Sequence, residues 1–200
     1  MLAAVENGDA KKLAELLIRQ DPGFKLNNMS RDGNGRTLLH YACSESDSGS
    51  PVIPLLLAHP DIDVNVKNIY GSTPFFYACD GRPSCVREML RDSRVNVNEP
   101  DQFGRTPLRY AAYKGHLDVI RLWIASGREM DLGTPGDVDK TDAIGVAKQN
   151  GKREVVALLE RFKSDPAKTR SEVRKELGIT GKYHSFSSLL KFIFNLFPWN

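Results

Sequence analysis

Three stretches of this 200-residue chain repeat nearly the same wording: NGRTLLHYACSES at 34–46, YGSTPFFYACDGR at 70–82 and FGRTPLRYAAYKGH at 103–116. Thr37, Thr73 and Thr106 stand 36 and 33 apart. Ala42, Ala78 and Ala111 keep the same offsets, and Ala147 follows 36 later. DVN at 63–65 and NVN at 96–98 are 33 apart. Several landmarks held in one register mark a tandem repeat. A unit this short cannot enclose a core of its own, so each must bury its apolar face against its neighbours. The chain is therefore read as a stack.

Each unit has the same physical grammar. A polar tip carries Gly35, Gly71 or Gly104, where the backbone turns at positive φ. Thr follows at an N-cap position, and Pro74 or Pro107 stands at the first helical position. A short helix lined with small residues comes next, at Ala42-Cys43, Ala78-Cys79 and Ala111-Ala112. Gly115 or Gly151 ends it. A second helix then carries apolar residues at helical spacing, LDVIRLWI at 117–124 and REVVALLERF at 153–162.

On GRTPLRYAAYKGHLDVIRLWIASG at 104–127 the chain resembles the ankyrin-repeat family. The resemblance covers residues 1–163 in about five units: 1–30, 31–67, 68–98, 99–132 and 133–163. It implies an all-α solenoid of helix-turn-helix units with hairpin tips, followed by a helical C-terminal extension at 164–200. Unit one lacks a tip, and unit two has an enlarged turn, SESDSGSP at 44–51. Unit five departs furthest, with Lys140 where the tip Gly belongs and TDAIGVAKQNG in place of the Thr-Pro-Leu-His phrase. In the family's fold, tips and short helices line a concave face. That register stacks Tyr41, Tyr77 and Tyr110 along it, with Val146 equivalent in unit five. Two roles stand open for these tyrosines: contact surface, or structural ladder with hydroxyls bonded to neighbouring tips. Arg109 occupies the slot where the family has a tip-bracing His; unit two has His40 there and unit three Phe76. Asn65, with Leu57 eight residues and Asp63 two residues before it, matches the family's asparaginyl-hydroxylation pattern. Asn65 also fits a plain turn-bracing role.

The expected function is a non-catalytic protein–protein interaction scaffold that binds through tips and concave face. Tyr70, Tyr77, Phe103, Arg105, Arg109, Tyr110, Tyr113 and Lys114 form the candidate contact set. Aromatic and Arg side chains are the usual interface anchors. Their mixture here points to a protein or peptide that is acidic and carries apolar anchors. Chemistry of other kinds finds little support. His40, His59, His116 and His184 have no metal-ligand spacing, and no cofactor is expected. GITGKY at 178–183 is two residues short of a phosphate loop and has Tyr183 where magnesium binding needs Ser or Thr. No Ser sits in a nucleophile elbow, so no enzyme is expected. A formal net charge of +3 gives no reason to expect nucleic acid. MLAAVENGDAKK does not read as a secretory signal. Three cysteines, Cys43, Cys79 and Cys85, with no CxxC suit a reducing compartment. Together these point to an intracellular protein, cytoplasmic or nuclear.

After Phe162 the register stops. SDPAKTRSEVRKELG reads as a helix with Asp165 as N-cap, Pro166 first and Gly178 past the end. Its thin apolar side, Val173 and Leu177, makes it a solvated helix. HSFSSLLKFIFNLFPWN at 184–200 is too short to span a bilayer and too apolar to stand free. Three fates are open to it: a cap on unit five, a membrane-surface helix, or an oligomer or partner contact. The last two define the rival function, an oligomerising or membrane-associated protein acting through its tail. Oligomeric state is not legible in the residues.

Overall fold

The computed structural model describes residues 1–19, 26–28, 32–44, 47–133 and 141–180. Described residues form helices and turns, without strands. Five helix pairs follow one another: α1 (Leu2–Glu6) with α2 (Ala10–Ile18), α3 (Leu38–Ser44) with α4 (Ile53–Ala58), α5 (Pro74–Ala78) with α6 (Pro83–Leu90), α7 (Pro107–Lys114) with α8 (Leu117–Ser126), and α9 (Ala143–Gln149) with α10 (Arg153–Ser164). A final helix, α11, spans Pro166–Glu176. Inner helices pack on inner helices (α3 on α5, α5 on α7, α7 on α9), and outer on outer (α4 on α6, α6 on α8, α8 on α10). One apolar core runs through the stack, from Val5 and Leu13 through Phe75 and Trp123 to Leu159. The small residues Ala42, Cys43, Ala78, Cys79, Ala111, Ala112 and Ala147 are fully buried in it, where they let the inner helices approach closely.

Local chemistry starts each helix where the stack needs it. The Thr73 and Thr106 hydroxyls accept from Phe76 N–H and Arg109 N–H, both at 3.2 Å. Unit five puts Asp142 in that slot, and its carboxylate accepts from Gly145 N–H at 2.7 Å. Caps of this kind stabilise a helix by about 1 kcal/mol. In unit two the enlarged turn is a 3₁₀ segment, Asp47–Val52. Gly49 lies so close to α3 there that an added Cβ would sit 2.0 Å from the Ala42 carbonyl oxygen.

Helix α11 corrects one expectation: it is docked, not solvated. Thr169 and Val173 are buried, and the helix packs against both α8 and α10. Ion pairs Arg121–Glu176 and Arg161–Glu172 flank it. Arg170 donates to the Ile124 carbonyl at 3.3 Å, at the C-terminal end of α8. That bond completes a series. Arg94 reaches the Leu57 carbonyl at the end of α4, and Arg128 reaches Leu90, Asp92 and Val95 carbonyls at the end of α6. Helix ends leave such carbonyls without intrahelical partners, so α11 supplies for α8 what the following unit supplies for α4 and α6. Its own start matches the sequence, with Asp165 accepting from Lys168 N–H at 2.9 Å and Pro166 in the first turn. The segment 184–200, Lys140 and the tip of unit five lie outside the described residues.

Candidate functional site

The hairpin tips are built by a side chain that the repeat wording hides. Asp32, Asn68 and Asp101 stand at one register position. The Oδ1 of each accepts from the backbone N–H groups two and four residues on: Asn34 and Arg36, Tyr70 and Ser72, Phe103 and Arg105, all at 2.9 Å. Each turn then passes through Gly35, Gly71 or Gly104 at φ of 71 to 73°, a region that an L-residue with Cβ rarely enters. Neighbouring tips are tied by backbone bonds, Ile69 N–H to the Asn34 carbonyl and Gln102 N–H to the Tyr70 carbonyl, both 3.0 Å. At Gly71 an added Cβ would come within 2.7 Å of the Gln102 nitrogen. The tips thus form one edge braced by backbone bonds.

Several side chains on this edge stand in water. Ile69 is 57% exposed, Tyr70 44%, Phe103 50%, and Tyr113 on α7 46%. Arg105 is anchored rather than free. Its guanidinium pairs with the buried Asp101 carboxylate at 2.6 Å and sits 4.9 Å from the Phe103 ring centroid and 5.8 Å from that of Tyr110. Lys114 is exposed, with its Nζ 5.5 Å from the Tyr110 centroid; such placements hold a cation by the ring quadrupole. Arg109 is half-buried.

The tyrosine ladder divides by unit. Tyr41 is buried, donates to Asp32 at 3.1 Å and lies under the Arg36 guanidinium at 4.4 Å. The Tyr77 hydroxyl accepts from Asn68 at 3.0 Å, and its ring meets His40 edge-on at 5.7 Å. Tyr110 is half-buried and packs on Phe76 at 5.0 Å. The hydroxyls of units two and three are therefore bonded to their own tips. Burial pushes the Asp32 carboxyl up, but hydrogen bonds from Arg36, Tyr41 and the Asn34 N–H outweigh it and hold the group down at about 2. His40 braces the next tip: its Nδ1 accepts from Thr37 N–H at 3.1 Å, so Nε2 carries the proton that bonds the Ser72 carbonyl at 3.0 Å.

Asn65 lies at a clasp between units. Its amide donates to the Arg94 carbonyl at 2.8 Å and accepts from Asn96 N–H at 2.7 Å. Asn27 does the same to Asp61 and Asp63, and Asn98 to Glu129 and Asp131. The thiols of Cys43, Cys79 and Cys85 are buried together, and burial pushes the first two well up. The described residues hold no helix long and apolar enough to cross a membrane.

Comparison with known proteins agrees with this architecture. The family model for ankyrin repeats (3 copies) matches residues 1–101 and 80–169. A putative ankyrin repeat protein of Rickettsia bellii (strain RML369-C) is 35% identical over 102 residues, 51% of this chain and 55% of that protein. An ankyrin repeat-containing protein of Schizosaccharomyces pombe is 32% identical over 122 residues, 60% of this chain and 50% of that protein. A probable E3 ubiquitin-protein ligase of Oryza sativa subsp. japonica is 34% identical over 126 residues, 62% of this chain but 23% of that protein. The chain spans about half the length of the first two relatives.

Proposed function

Because the chain belongs to the ankyrin-repeat family, whose arrays generally mediate protein–protein interaction, we propose that it is a non-catalytic intracellular scaffold. It binds a partner protein or peptide through the tips and inner helices of units three and four. One observation carries the reading. Of the six exposed large apolar side chains among the described residues, Ile69, Tyr70, Phe103 and Tyr113 belong to these two units. Apolar side chains gathered on one face mark a contact surface. Charge favours the same partner chemistry that the sequence implies. The inner helices of units three and four, PFFYA and PLRYAAYK, contain no acidic residue, and the second carries Arg109 and Lys114. An acidic segment with apolar anchors meets no like charge on these helices. Tyr77 and Tyr110 serve as the floor of the face, and Arg105 as a fixed post. Asn65 acts as a clasp between units, and the family pattern it matches makes it the candidate position for asparaginyl hydroxylation.

The test compares two baits in native lysate of the source cells, the intact chain and one carrying Tyr70→Ser, Phe103→Ser and Tyr113→Ser. All three positions are exposed, so the variant should melt within a few degrees of the parent. Partners retained by the parent and lost by the folded variant support the face. Partners held equally by both sink it.

A further inference from the structure

Two lysines meet the turn that ends α7. Lys114 ends α7. Gly115 follows in the left-handed region at φ 88°, and the aliphatic stem of Lys152, from the next unit, lies on it: an added Cβ at Gly115 would be 2.8 Å from the Lys152 Cδ. Other cations and acids nearby are engaged. Lys148 pairs with Glu160 at 2.7 Å, and Asp80 is shared by Arg82 at 3.6 Å and His116 at 3.3 Å. No described carboxylate lies within ion-pair distance of Lys114 or Lys152. Tyr113 is exposed beside them. At the opposite end of α7 stand the apolar tips, Tyr70 and Phe103. The eight residues of α7 separate the two ends by roughly 12 Å, at about 1.5 Å per residue.

We propose that the partner lies along α7 in one polarity, its apolar end on Tyr70 and Phe103 and a carboxylate at the Lys114–Lys152 step. The occupant is a segment of a partner protein with an apolar anchor at one end and an acidic side chain or terminus at the other, separated by a span comparable to the length of α7. This rests on the contact-face reading above and adds direction to it. Ammonium groups without a partnering carboxylate among the described residues gain one on binding, whereas the anchored Arg105 already has Asp101.

The experiment selects random peptides displayed on phage against the full chain, and the selected peptides then serve as probes in solution. Lys114→Gln with Lys152→Gln keeps both stems and removes both charges; a thermal melt checks that the fold is intact. Selected peptides are expected to carry an acid apart from their apolar residues and to lose about tenfold or more in affinity on this variant. Lys114→Glu with Lys152→Glu should weaken them further, and replacing the peptide's acid by Lys should restore binding to that reversed chain. Peptides that depend on Phe103 yet carry no acid and ignore both lysine variants overturn the polarity and leave the contact face standing. Peptides indifferent to Phe103 and to the lysines, or no peptide above an unrelated helical control, overturn both.

Discussion

Asp32, Asn68 and Asp101 hold three tips by the same two backbone bonds, and differ in what the second side-chain atom does. In Asp32 and Asp101 it takes an Arg from the same unit at 2.8 and 2.6 Å. In Asn68, with Ser72 in the Arg position, it donates to Tyr77 instead. In unit two the charged version carries a pH dependence. Asp32 sits at about 2 in the folded chain against an ordinary 3.8. A depressed carboxyl contributes stability that is whole above about pH 4 and is lost as pH falls through about 2. Asp32→Asn keeps the turn acceptor and removes the titration, so urea midpoints measured from neutral pH downward should fall less steeply below about pH 4 in the variant. Equal slopes would show that the group does not titrate as its geometry implies. At this scale the sequence was partly legible. Thr, Gly and Tyr announce themselves by identity in units two to four. Asp32, Asn68 and Asp101 do not, because the register position is shared while the residue type changes. Aligning 32, 68 and 101 by the spacing of Thr37, Thr73 and Thr106 would have found them.

Among elements, α11 departs most from what its sequence shows. Two buried side chains in a helix of eleven residues, Thr169 and Val173, are too few to register as an amphipathic stripe. What holds the helix is spread over two other elements: the Ile124 carbonyl and Arg121 on α8, and Arg161 on α10. Single-helix periodicity cannot report such partners. Val173→Ala should cost about 2 kcal/mol by loss of buried contacts, and hydrogen exchange should quicken at the end of α8 as well as in α11. Destabilisation confined to α11 amides would mean that the helix rides on the array without supporting it. The starts of α5, α7 and α11 and the stop of α11, by contrast, were legible, because Thr73, Thr106, Asp165 and Gly178 act within a few residues of themselves.

Across the whole molecule, cohesion depends on interfaces between neighbouring units, since each unit touches little else. The Asn27, Asn65 and Asn98 clasps are polar stitches at successive interfaces, two bonds apiece. Asn65→Ala with Asn98→Ala removes four bonds at about 1 kcal/mol each. The expected result is a lower denaturant slope, as the cooperative transition separates into parts; a parallel shift with unchanged slope would show that apolar packing alone couples the units. The stacked architecture was legible because a period repeats it, and the tyrosine roles were not, because bonding partners such as Asp32 and Asn68 differ from unit to unit. The braced tips have a further consequence. Their backbone course is set by residues 32, 68, 101 and the glycines, whereas the side chains at 70 and 103 are exposed. Single codon changes at those positions therefore alter the exposed face and leave the inherited backbone course undisturbed.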